Sequence, residues 1–150
     1  MPVQRTKEIL EHARQFHQGL AAFYQRLTDV ASRERVKLLL DYMSRHEERL
    51  SKTVEELENV LPKEALAQWV DRGFETSLQV SGTLELGEEM SLENVVHMAI
   101  EFDDCIISFY ERASAATTHQ PLKDFFEELI QMERRSLKDL VKNALLFQDL

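Results

Sequence analysis

Ala13-Arg14-Gln15-Phe16-His17-Gln18-Gly19-Leu20-Ala21-Ala22-Phe23-Tyr24 returns, 86 positions later, as Ala99-Ile100-Glu101-Phe102-Asp103-Asp104-Cys105-Ile106-Ile107-Ser108-Phe109-Tyr110. The register continues without a gap from 13–54 onto 99–140. Arg26 meets Arg112, Lys37 meets Lys123, Glu47 meets Glu133, Arg49 meets Arg135 and Lys52 meets Lys138. Core types match as well: Leu20 with Ile106, Leu39-Leu40 with Phe125-Phe126, Met43 with Leu129, Val54 with Leu140. Loose alignment of any two amphipathic hairpins is the bland reading. Identity at Phe-Tyr and at a core-facing Glu in one register favours duplication of a single unit.

Each unit reads as a helical hairpin. Ile9/Leu10, Ala13, Phe16, Leu20, Phe23/Tyr24 and Leu27 recur in steps of three and four, which places them on one helical face. A bend falls in Ser32-Arg33-Glu34-Arg35. The stripe resumes at Val36, Leu39/Leu40, Met43, Leu50, Val54, Leu57 and Val60/Leu61. The second unit repeats this through Val95/Val96, Ala99, Phe102, Ile106 and Phe109/Tyr110. It bends at Thr117-Thr118-His119-Gln120 and runs on through Leu122, Phe125/Phe126, Leu129, Leu137 and Leu140. Ser91 is a good N-cap, and Pro121 suits a first helical turn.

A lone hairpin buries one stripe of each helix, so two must pack face to face. The expected fold is all-α, a four-helix bundle over residues 1–150. Hairpin one spans 3–61, a short helix and connector 62–90, and hairpin two 91–148. Pro62 to Val70 reads as the short helix, with Gly73 as its cap. Residues 73–90 lack a helical period and read as a long crossover.

Composition narrows the function. The net charge is −9, with no basic block, so a nucleic-acid partner or an anionic membrane surface is not expected. No apolar run approaches a membrane span. Residues 1–8 lack the apolar core of a signal peptide, so the cytoplasm is the expected location. Cys105 is the only cysteine, which excludes a Cys-x-x-Cys motif and leaves a buried, inert thiol as the default.

Each stripe is broken once by an ionisable residue: His17, Glu47, Asp103 and Glu133. Each lies about 15 residues from its bend, roughly 22 Å at the helical rise, so the four are expected in one central layer. Burying three carboxylates without compensation is very costly. The layer must hold a metal, share protons, take up water, or pair internally with a charged His17. Carboxylate oxygens and an imidazole nitrogen suit manganese, iron or zinc. Asp104 is the alternative to Asp103 as the inward group. His46 is a spare nitrogen ligand beside Glu47. Tyr24 and Tyr110 are either partners of the layer or plain core residues. His12, His97 and His119 read as surface or flanking residues.

These residues together resemble the rubrerythrin-like branch of the ferritin-like superfamily, whose members bind two irons within a duplicated hairpin. The family carries a Glu seven residues before the Tyr of a Phe-Tyr pair. Here those positions hold His17 and Asp103. Its Glu-x-x-His motifs correspond to Glu47-Glu48-Arg49-Leu50 and Glu133-Arg134-Arg135-Ser136. The resemblance implies a ferritin-like fold, an iron-type centre on Glu47, Glu133, His17 and Asp103, and a homodimer or higher homo-oligomer. It departs from the family at both helix-borne histidines, now Leu50 and Ser136, and at both terminal glutamates. Those departures imply the other reading, a non-catalytic interaction or assembly module that has lost the metal.

Overall fold

The computed structural model describes residues 3–67, 69–71 and 89–148. Most of them lie in helices. α1 (Thr6–Val30) and α2 (Glu34–Val60) form the first hairpin, joined through residues 31–33. α3 (Lys63–Leu66) is a single turn. α4 (Leu92–Ala115) and α5 (Gln120–Gln148) form the second hairpin, joined through residues 116–119. So short a link leaves no room for a crossover, and each pair of helices runs antiparallel.

Local chemistry explains the boundaries. Ser91 caps α4 with a reciprocal box: its hydroxyl accepts from the Asn94 amide at 3.1 Å, and the Asn94 side chain accepts from the Ser91 amide at 2.9 Å. Two of the helix's orphan N–H groups are satisfied in this way. Pro62 follows the end of α2 at once, and the residue before a proline is pushed out of helical geometry. Pro121 sits in the first turn of α5, where its missing N–H is not needed.

The stretch expected as one short helix from Pro62 to Val70 divides in two. The helix stops at Leu66, and β2 (Trp69–Asp71) pairs antiparallel with β1 (Val3–Arg5). Partners are Val3 with Asp71, Gln4 with Val70 and Arg5 with Trp69. The first helix therefore begins at Thr6 and not at Val3. Three-residue strands carry no readable alternation. Val3, Trp69 and Val70 nonetheless are types that favour extended chain. Gly73 and residues 73–88 of the expected connector lie outside the described residues.

One apolar cluster draws on all four long helices, including Leu10, Leu20, Leu39, Met43, Val95, Ile106, Phe126 and Leu129, each with almost no exposure. Phe102 of α4 inserts edge-on among Phe16, Phe23 and Tyr24 of α1, with ring centroids 5.8–6.4 Å apart. That seam locks hairpin to hairpin with favoured aromatic geometry. Among the described residues, no helix is long and apolar enough to cross a membrane.

Candidate functional site

Each long helix contributes one residue of the expected layer to the core. His17 comes from α1, Glu47 from α2, Asp103 from α4 and Glu133 from α5. Their exposures are 0%, 2%, 5% and 0%. All four residues expected to point inward do so. Asp104, the alternative, is exposed.

Three of the four make a closed ionic chain. His17 Nδ1 lies 2.5 Å from Glu47 Oε2, and His17 Nε2 lies 2.7 Å from Glu133 Oε1. A neutral imidazole has one N–H, whereas two carboxylate partners call for two. Burial alone would lower the His17 pKa. The charge of Glu133 and the hydrogen bonds to Glu133 and Glu47 outweigh it, and the value rises well above the usual imidazole range. His17 is therefore an imidazolium donating on both sides.

The rest of the layer responds to this charge. Burial raises the Glu47 pKa, and its bond to His17 opposes the rise. Burial, with the charges of Glu47 and Glu133, pushes Asp103 up to about 8. At neutral pH Asp103 is thus mostly a neutral acid. Without that proton the core would hold three anions against one cation. Tyr24 and Tyr110 border the layer. Burial raises both phenol pKa values, helped by Glu47 and Asp103 at Tyr24 and by Glu133 and Glu47 at Tyr110. Among the described residues, two buried oxygens have no hydrogen-bond partner, the Tyr110 hydroxyl and Glu133 Oε2.

A second polar seam joins α2 to α5 beside the layer. His46 Nε2 makes a short contact with Ser136 Oγ, and the His46 ring stacks on Tyr42 with centroids 5.9 Å apart. Asn143 Nδ2 donates to the Tyr42 hydroxyl at 2.8 Å. Burial, and then the charge of Arg49, lowers the His46 pKa, which keeps this ring neutral. His46 is half-buried, and it turns to a serine hydroxyl instead of to Glu47. Ser136 was readable as a polar residue on the apolar stripe, three residues after Glu133. Tyr42 and Asn143 carried no such mark.

The remaining candidates scatter. His12 and His97 are exposed and His119 is half-buried. Cys105, expected to be buried, is exposed. Two residues along a helix is a turn of about 200°, which carries a side chain away from the face of buried Asp103.

Metal ligation can be tested against this arrangement. A metal takes the lone pair of a deprotonated nitrogen. Both His17 nitrogens instead face carboxylate oxygens at hydrogen-bond distance. Among the described residues, no group of three or more His, Cys, Asp and Glu side chains is disposed to hold a metal ion. In this geometry His17 offers no free nitrogen to a metal. The imidazolium supplies the positive charge that the carboxylates need.

Comparison of the chain with known protein families, curated proteins and solved structures finds no match.

Proposed function

We propose that the chain is a non-catalytic helical interaction or assembly module of ferritin-like ancestry, in which the charged ring of His17 stands in for a core metal. One observation carries this reading: both His17 nitrogens are bonded, at 2.5 and 2.7 Å, to the two glutamates that the family resemblance places in the Glu-x-x-His positions. A fully buried cation between two carboxylates compensates them without any external ion.

Elemental analysis of protein purified without chelator tests the reading. It should find less than about a tenth of an equivalent of iron, manganese or zinc, and chelator should leave the melting temperature unchanged. Stoichiometric metal that raises the melting temperature, and is lost in Glu47→Gln and Glu133→Gln, would overturn it.

A second reading has its own support. Glu133 Oε2 and the Tyr110 hydroxyl are buried without partners. In a metal-binding ferritin-like protein with iron, or manganese or zinc, Glu47 and Glu133 would be the principal ligands, with Asp103 beside them. His17 would have to turn one nitrogen away from its glutamate. The same elemental analysis separates the two readings.

A further inference from the structure

A groove of about 270 Å³ runs along the outer face of the second hairpin, between α4 and α5. Val96 and Ile100 line it from α4, and Val141, Ala144 and Leu145 from α5. Leu145 is 57% exposed at its edge. A projecting leucine and an apolar groove therefore share one face. That is the condition for a self-complementary contact, in which each copy supplies both knob and hole.

The charges beside the groove are sorted by helix. The exposed flank of α4 carries Glu93, Glu101 and Asp104. The facing stretch of α5 carries Lys138 and Lys142, both exposed. Because the helices are antiparallel and Ile100 and Val141 line the same groove, Asp104, about one turn on, lies level with Lys138. A twofold axis parallel to the helices sets α4 of one copy against α5 of the other. It brings Asp104 opposite Lys138 of the second copy, twice, and lays each Leu145 onto the other copy's Val96. An axis across the helices would instead set α4 against α4, acid against acid. The sorting of charge thus selects both the partner and the orientation.

We infer that the groove between α4 and α5 is the contact surface of a homodimer, with α4 of each copy packed on α5 of the other. This rests on the reading of the chain as an assembly module, and it names the partner as a second copy.

Sedimentation equilibrium on the full chain, up to on the order of 100 µM, tests it. The parent should be dimeric. Leu145→Glu should weaken self-association by about tenfold or more with unchanged helical circular dichroism, because Leu145 is 57% exposed. Lys138→Glu should also weaken the dimer, and Lys138→Glu combined with Asp104→Lys should restore it. A monomer throughout the range, or a dimer indifferent to Leu145→Glu, overturns the inference. Metal content measured on the same sample keeps the two proposals apart. A metal-free monomer removes only the dimer, whereas a metal-loaded protein removes the reading beneath it.

Discussion

Nε2 of His17 lies 2.7 Å from Oε1 of Glu133, a bond between the first long helix and the last across 116 positions of sequence. Its counterpart to Glu47 lies within the first hairpin. One ring therefore fastens its own hairpin and reaches into the other. The consequences are measurable.

Replacing His17 by Leu leaves two carboxylates buried with no cation. The variant should lose about 3–5 kcal/mol in urea unfolding at neutral pH. Replacing His17, Glu47 and Glu133 together by Leu should be nearly neutral or stabilising, since no charge remains to desolvate. Equal losses in the single and triple variants would show that the ring acts by packing alone.

Asp103 gives a pH signature. Its carboxyl is raised from 3.8 to about 8, so the folded chain holds a proton that the unfolded chain releases. A raised folded value means that the contribution is present below the unfolded value and is lost as pH climbs through the folded one. Through this group, stability should fall between about pH 4 and pH 8. His17 acts in the same direction, its contribution being lost as pH climbs from the ordinary imidazole value through its own raised one. Asp103→Asn should flatten the acid-to-neutral part of the profile and leave the variant more stable than the parent at pH 8. Parallel profiles for parent and variant would refute the assignment.

Tyr110 has a fully buried hydroxyl without a partner. Tyr110→Phe removes that desolvated group and keeps the ring. It should be neutral or stabilising by up to about 1 kcal/mol in thermal melts. A clear loss of stability would mean that the hydroxyl is bonded.

Ser91 and Asn94 close the start of α4 through two reciprocal hydrogen bonds. Ser91→Ala should cost about 1 kcal/mol, read as a lower urea midpoint with unchanged slope.

The sequence was most legible where period and burial agree. The Ser91 cap followed from residue type, and the inward direction of four ionisable residues from spacing; the bends expected at 32–35 and 117–120 fall one or two residues earlier, at 31–33 and 116–119. The choice of Asp103 over Asp104 followed from one step of helical phase. Cys105 was misjudged although the same phase argument sends it outward. The strand pair at Val3–Arg5 and Trp69–Asp71 was missed because three residues are too few for a period. What the layer does with its charges was not legible either. Spacing places a ring and three acids at one height, but it cannot say whether the ring's nitrogens turn to a metal or to the acids. That depends on side-chain torsions, which leave no trace in residue order.

The double-sided grip on His17 also constrains how this chain can drift. Losing the ring first strands two acids in oil, whereas losing Glu47 first leaves a balanced pair between His17 and Glu133. Any lineage that sheds the triad one substitution at a time has a favoured order, acid before ring. Descendants caught midway should retain the histidine beside a single glutamate.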